Sequence, residues 1–424
     1  MKLRRLIVSA FLCVLVGVQF VYPAEFPETK PEKVGLSSER LSRIDRVMTE
    51  SVDDGYISGS ICLVARDGKI AYEKTFGMMD VEKGIPMSED AMFMICSMSK
   101  PMTATAIMML YEEGRFLLSD PVSKFIPEFA DPEVIVQDPD TGSVYTVPAR
   151  SEITIRNLLT HTSGITYGEG LQRDIYREAG MTVGLTKTEG TLGEMIRKLG
   201  SLPLISHPGE EVHYGMSIDT LGYLVEVVSG QPFNEFMRER LWGPLEMDDT
   251  HFILPREKLS RLARHYTGNG NGVLKLVDAD PSWLCDQTYF SGGAGVVTTT
   301  RDYLRFAQML LNGGELDGVR ILSPKTVQLM TTNAIGDLTG PFPTNSGDKM
   351  GYGLGIRASR GTWDELESLG IFGWDGAFYT RFWADPAENL IGLFMTQIGG
   401  AVRQTGLTNR YRVLVYQAIM DSRM

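Results

Sequence analysis

The chain has 424 residues, 43% of them hydrophobic and 22% charged, which suits a folded protein with a large core and room for two domains. Its net charge of −12 becomes −15 without residues 1–24, which carry Lys2, Arg4 and Arg5 and no acid. Such a surface argues against nucleic acid and anionic membranes as partners, and four scattered cysteines do not make a disulfide framework.

The basic head of Lys2, Arg4 and Arg5 precedes an uncharged, mostly apolar run from Leu6 to Val21, then Pro23-Ala24-Glu25. This pattern predicts a signal peptide over 1–24 and a secreted or periplasmic protein. The run is short for a membrane span, so no stable membrane insertion of the mature chain is expected. Tyr22 is bulky where a small residue is usual, and it leaves the cleavage site open. Of the remaining cysteines, Cys62, Cys96 and Cys285 are expected as buried thiols, with one bridge possible.

Ser37 or Ser38 can cap a helix that carries Leu41, Ile44, Val47 and Met48 on one face. "SICLVAR" and "KIAYEKTFG" around Asp67-Gly68 predict a β-hairpin. Next comes "MICSMSKPMTAT" (94–105). Pro101 is tolerated only in a first helical turn, so the helix starts close to Ser97, and Gly114 fits its C-terminal cap. Residues 154–164 predict a helix closed by Gly164. Residues 217–230 predict another, with Leu221, Leu224, Val225 and Val228 inward and a stop at Gly230. Pro232 then opens a further helix. Thr300 can cap a helix through Leu311. Residues 371–384 and 389–398 read as strands, and 405–421 as a closing helix with Leu407, Val413, Leu414 and Ile419 inward. Strands therefore flank a helical middle. The expectation is an α/β domain from 25–115 and 286–424, with a mostly helical domain over 116–285.

Ser97 and Lys100 share a helix face at i and i+3, so the two side chains can meet. Ser-x-x-Lys alone is weak evidence, and the chain holds a second copy, Ser346 to Lys349. That copy lies in a Pro/Gly-rich stretch with no helix to fix it and is set aside. The chain has no Gly-x-Ser-x-Gly, His-Glu-x-x-His, Cys-x-x-Cys or phosphate loop. Cys96 reads as a small buried thiol rather than a nucleophile. His207 and His213 lack a third ligand and read as surface or hydrogen-bonded histidines, so no metal is expected.

Ser97-Met98-Ser99-Lys100-Pro101 resembles the nucleophile motif of serine β-lactamases and penicillin-binding proteins. "LLTHTSGI" (158–165), "HPGEEVHYGMS" (207–217), "SGGAGVVTTTRDYLRFAQMLLNGG" (291–314), "GYGLGI" (351–356) and "GWDGAFYTRFWADP" (373–386) are similar to the class C branch and the family VIII carboxylesterases. The resemblance runs in order along nearly all of the mature chain. It implies a β-lactamase-like α/β fold, an antiparallel sheet flanked by helices with a mostly helical inserted domain. It implies Ser97 as nucleophile, with Lys100 and Tyr214 as its proton-transfer partners and the main base of the two left open. It implies an oxyanion hole from the backbone N–H groups of Ser97 and Ala377. Met216 stands where class C enzymes have asparagine. Trp374-Asp375-Gly376 stands where they have Lys-Thr-Gly, which this chain lacks. Trp374, Gly376 and Met216 are therefore the expected substrate-binding residues.

Acyl transfer needs an activated hydroxyl, a proton carrier and donors aimed at the developing oxyanion. Burial and a helix N-terminus are expected to lower the lysine's pKa toward neutral. The implied activity is an acyl-enzyme serine hydrolase acting on a small-molecule ester or amide, without cofactor, most simply a carboxylesterase. A β-lactamase or D-amino-acid peptidase of the same fold is the alternative, and a catalytically idle penicillin-binding or sensor domain is the rival of another class. Arg381, expected on Trp374's strand, could restore carboxylate binding if a bulge turned it into the cleft.

Overall fold

The computed structural model describes residues 26–423, except 183, 185, 269–271, 279, 339–349, 360–365 and 401–404. The signal segment and the Ser346–Lys349 copy lie outside the described residues.

The hairpin forms as expected. Strands β1 (Gly59–Arg66) and β2 (Lys69–Asp80) are joined by Asp67 and Gly68, with φ of 56° and 66°. Both central residues of a tight hairpin turn need that left-handed geometry. β3 (Ile85–Pro86) pairs with β2. The C-terminal part adds β4 (Met350–Tyr352), β5 (Arg357–Ser359), β6 (Phe372–Asp375), β7 (Arg381–Asp385) and β8 (Leu390–Met395). Together they make one eight-stranded sheet in the order β4-β5-β6-β7-β8-β1-β2-β3, antiparallel throughout. Segments far apart in the chain thus meet where β1 pairs with β8.

The strand expected over 371–384 is two strands. The chain reverses at 376–380, where the Gly376 N–H donates to the Thr380 carbonyl and Tyr379 takes φ 70°. Arg381 therefore sits on β7, opposite Asp375 of β6, and not on Trp374's strand. "AFYT" is β-prone and contains no Pro, so the turn is hard to see in the sequence.

Six helices position the site or cover the sheet. α1 (Ser38–Asp53) starts where Ser37 accepts the Arg40 N–H, and its stripe of Leu41, Ile44, Val47 and Met48 is buried. α2 (Ser99–Glu112) is buried continuously from Ser99 to Leu110, and Gly114 beyond it takes φ 69°. Ser97 lies in the 3-10 turn Cys96–Met98 that feeds α2. α3 (Ile155–Leu159) is shorter than expected. Thr154 and Asn157 cap its start, but His161 already has φ 58°. The Thr162 hydroxyl accepts from the Asn157 amide and pairs with the Thr160 hydroxyl, offering the backbone an alternative to helix. α4 (Ser217–Ser229) buries Leu221, Leu224, Val225 and Val228 and stops at Gly230, φ 75°. The helix after Pro232 covers Phe233–Met237. α5 (Thr300–Leu311) is capped by Thr299, one residue earlier than expected. α6 (Leu407–Tyr416) buries Leu407, but Val413 is 39% exposed and Tyr411 and Val415 face inward instead. The middle of the chain also holds an unforeseen antiparallel ribbon, Glu133–Gln137 with Val144–Pro148.

Alternation along β1 explains the layers. Ile61, Leu63 and Ala65 enter the main core, with residues of α2, α4 and α5. Cys62 and Val64 enter a second core under α1 and α6. Helices thus cover both faces, and β1 has no exposed residue. Among the described residues, no helix is long and apolar enough to cross a membrane.

Arg66 closes β1 with no exposed surface. It pairs with Glu388 at 2.6 Å and Asp421 at 2.6 Å and donates to the Val34 carbonyl. Glu388 is itself buried, so removing its partner strands a charge. Arg66→Ala should cost about 3–5 kcal/mol of stability in urea denaturation. A loss below about 1 kcal/mol would show that water replaces the guanidinium there.

Candidate active site

The Cys96–Met98 turn places Ser97 partly exposed at the mouth of α2, with Lys100 completely buried one turn on. Lys100 Nζ is 3.2 Å from Ser97 Oγ, 3.0 Å from the Tyr167 hydroxyl and 2.8 Å from the Gly293 carbonyl. It lies 4.6 Å from the centroid of the Tyr214 ring. An ammonium has three N–H donors, and three acceptors surround this one. Burial pushes Lys100 down, but Tyr167, Tyr214 and the Asp219 carboxylate outweigh it, and the net direction is up. The expected fall toward neutral is thus corrected: anionic and phenolic oxygens, not burial alone, set the charge.

The loop Ser291–Gly295 delivers the Gly293 carbonyl and is pinned from two sides. Thr103 of α2 donates to the Gly292 carbonyl at 2.7 Å. Asp219 of α4 accepts from the Ser291 hydroxyl at 2.5 Å and the Gly293 N–H at 3.3 Å.

Trp374 on β6 is 2% exposed. Its ring centroid is 6.2 Å from Tyr214, 5.7 Å from Tyr352 and 6.1 Å from His161. His161 is fully buried, and burial first, then Lys100, holds its pKa well below the usual range, so the imidazole is neutral. Met216 is 1% exposed within the main core, and its carbonyl accepts from Thr220 in the first turn of α4. Gly376 packs on the segment before the nucleophile: a Cβ there would meet Thr380 Oγ1 at 2.0 Å and the Ile95 carbonyl at 2.5 Å. Ala377 is half-buried in the same turn.

Arg381 is held away from an open role. Nε is 2.5 Å from Asp375 Oδ1, and Nη1 is 2.7 Å from Asn409. The cation beside the indole is Arg357, which lies 5.4 Å from the Trp374 ring and pairs with Asp375 at 2.7 Å. Burial raises Asp375, but the two guanidinium groups overcome it and hold the carboxyl well below its usual range.

The structure therefore gathers Ser97, Lys100 and Tyr214, sets Trp374 against Tyr214, and closes the Gly376 turn onto the nucleophile's segment. Sequence reasoning missed Tyr167, Asp219, His161 and Arg357. Asp219 left one signal, an acid in the first turn of an otherwise apolar helix. His207 accepts from the Arg150 N–H, and His213 pairs with Glu211 at 3.0 Å. Among the described residues no cluster could hold a metal ion. Cys62 and Cys96 are buried and Cys285 is half-buried, and none of the three is in a disulfide.

A family model described as Beta-lactamase matches residues 44–417. An uncharacterised protein of Mycobacterium tuberculosis is 35% identical, over 82% of this chain and 88% of its own length. Esterase EstB of Burkholderia gladioli is 28% identical, over 91% of this chain and 98% of its own. Among solved structures, EstCE1, described as a hydrolase with promiscuous acyltransferase activity, aligns with a TM-score of 0.76 at 26% identity. That alignment covers 90% of this chain and 99% of EstCE1.

The close approach at Gly376 gives a direct test. A side chain at Gly376 must push the turn off Ile95 and displace the Ala377 N–H beside it. If the Ala377 N–H is the oxyanion donor that the motif implies, Gly376→Val should lower turnover about 10²–10³-fold, the size of one lost donor, with the circular dichroism spectrum unchanged. Full activity in the variant would remove this turn from the site.

Proposed function

The chain belongs to the Beta-lactamase family, and we propose that it is an exported serine hydrolase that works through an acyl-enzyme on carboxylic esters. The single observation that carries this reading is the Lys100 ammonium, 3.2 Å from Ser97 Oγ and 4.6 Å from the Tyr214 ring centroid. Lys100 donates to the serine oxygen at rest, so in this state it is not the base. Tyr214 takes the Ser97 proton, and the neighbouring ammonium stabilises the phenolate that must precede that transfer. Ser97 Oγ attacks the ester carbonyl, and the N–H groups of Ser97 and Ala377 receive the oxyanion. Tyr214 returns the proton to the leaving alcohol. Water then attacks the acyl-enzyme by the same route and releases the acid. The similarity to Esterase EstB supports the reaction class.

Two replacements favour esters over lactams. Trp374 stands where the family's lysine would attract a carboxylate, and Met216 stands where asparagine would offer an amide. The wall made by His161, Tyr214, Tyr352 and Trp374 is aromatic, and its imidazole is neutral. It suits short acyl chains and aryl leaving groups. One observation favours a second reading, lactam or peptide substrates with a carboxylate: among the described residues Arg357 and Arg381 pair with the same acid, Asp375, which leaves one positive charge over.

A fluorophosphonate should label wild type at Ser97, located by mass spectrometry, and should not label Ser97→Ala. An adduct on any other serine would show that the nucleophile lies elsewhere. To separate the two substrate classes, kcat/KM is compared for p-nitrophenyl butyrate and a chromogenic cephalosporin. Loss of one charge-assisted hydrogen bond, about 1.5–3 kcal/mol, predicts at least a ten- to hundred-fold preference for the ester. Equal or faster cephalosporin turnover would favour the Arg357 reading.

A further inference from the structure

Asp219 is a buried acid in the first turn of a mostly apolar helix. It is 1% exposed on the first turn of α4, and burial raises its pKa while Lys100 opposes that shift. Its Oδ1 is engaged by Ser291 and Gly293, as described above. Its Oδ2 is buried and makes no hydrogen bond. A point at the missing Cβ of Gly293 is 2.5 Å from that Oδ2 and 3.3 Å from Lys100 Nζ. The free carboxylate oxygen and the ammonium therefore lie within about 6 Å, the range over which opposite charges hold each other in the charged form. They make no direct ion pair. Gly293 stands between them: its N–H, in the 292–293 peptide, donates to Asp219, and its carbonyl, in the 293–294 peptide, accepts from Lys100.

We propose that Asp219 is a positioning residue for the proton transfer: its carboxylate is the counter-ion of Lys100, and through Gly293 it fixes the carbonyl that holds the ammonium beside Ser97. The proposal rests on the Ser97–Lys100–Tyr214 reading given above. With its N–H held by the acid and its carbonyl held by the cation, Gly293 is anchored on both sides of its Cα, so the carbonyl cannot turn away from Lys100 without disturbing the bond to Asp219. The groups around Lys100 come from every neighbouring segment. They are Ser97 on its own turn, His161 and Tyr167 after α3, Tyr214 before α4, Asp219 on α4 and Gly293 before α5. Tyr289 also feels the Asp219 charge. Asp219 is the one carboxylate in this set, so it alone supplies the negative charge.

The sign follows from electrostatics. A fixed negative charge raises the pKa of a neighbouring lysine, so removing it moves the ionisation of Lys100 to lower pH. The test is the pH dependence of kcat/KM with p-nitrophenyl butyrate for wild type, Asp219→Asn, Ser291→Ala and Ser97→Ala. Asp219→Asn keeps an oxygen for Ser291 and Gly293 and loses only the charge. The limb of its pH profile that Lys100 sets should move down by about one to three pH units, with kcat at the plateau reduced. Ser291→Ala keeps the charge, and its limb should stay while its rate falls. If the amide variant does not fold, Asp219→Ser removes the same charge and carries the same expectation. An unmoved limb with reduced kcat would make Asp219 a packing residue and overturn the proposal. A limb displaced equally in Ser291→Ala would overturn it too, because the shift would not follow the charge. Residual activity in Ser97→Ala would overturn the nucleophile assignment itself, a separate outcome from an unmoved limb.

Discussion

A buried ammonium is the constraint around which this molecule is arranged. Taking a lysine out of water costs several kcal/mol unless the charge is matched. Lys100 has no exposed surface, and each of its N–H groups has an acceptor within 3.2 Å. Hydrogen bonds to a charged group contribute about 1.5–3 kcal/mol each, so three of them offset a cost of that size. The acceptors come from three separate parts of the chain. Tyr167 follows α3, Gly293 precedes α5, and Ser97 lies in the turn that leads into α2. Shifting any one of these segments leaves an N–H unmatched. α2 consequently has no solvent face along most of its length and serves as the axis on which the other segments are placed.

The backbone records what that placement costs. Three of the non-glycine residues with positive φ deliver site groups: Cys96 at 46° before the nucleophile, His161 at 58° in the aromatic wall, and Tyr379 at 70° in the turn that carries Ala377. Such conformations cost about 1–3 kcal/mol each and persist where the surroundings hold them. Here the surroundings do so. The Ile95 N–H donates to the Val296 carbonyl, and the Tyr303 hydroxyl donates to the Met98 carbonyl. The His161 carbonyl accepts from the His213 N–H. The Gly376 carbonyl accepts from the Tyr379 N–H. In each case, the strain is held by residues distant in sequence or across a tight turn.

That dependence sets how much was legible beforehand. The β1–β2 hairpin, α1 and α4 follow from local chemistry: a turn needing two left-handed residues, an N-cap serine, a glycine stop. Ser97 and Lys100 follow from spacing on one helix. Tyr214 is visible only through its motif, since nothing near it in sequence says that it reaches the lysine. Tyr167 left no signal and Asp219 only its acid in an apolar helix, because their roles exist only after three loops converge on one atom. The split of 371–384 was missed because a β-prone run was folded over by a contact with Ile95, a partner far earlier in the chain. The wrong charge expectation for Lys100 has the same origin. Burial was readable from an apolar helix, but the acid on α4 and the two phenols were not.

Charge placement around the cleft bears on the substrate. Two cations approach it, Lys100 from the helical side and Arg357 from the sheet, and each has a buried or half-buried acid near it, Asp219 and Asp375. On the helical side the charges match one to one. On the sheet side Asp375 serves both Arg357 and Arg381, and the surplus positive charge is divided between them. Arg381 spends its other donor on Asn409. Arg357 lies against the indole of Trp374, so one face of its guanidinium is covered and one edge is taken by Asp375. A lysine at the Trp374 position would carry an undivided charge on a flexible stem, free to meet a carboxylate. Stacked and paired as it is, Arg357 instead stiffens the wall and keeps the indole in place. Beside the nucleophile the charged centre is Lys100, matched by Asp219, while the sheet side of the site is built of packed aromatic rings.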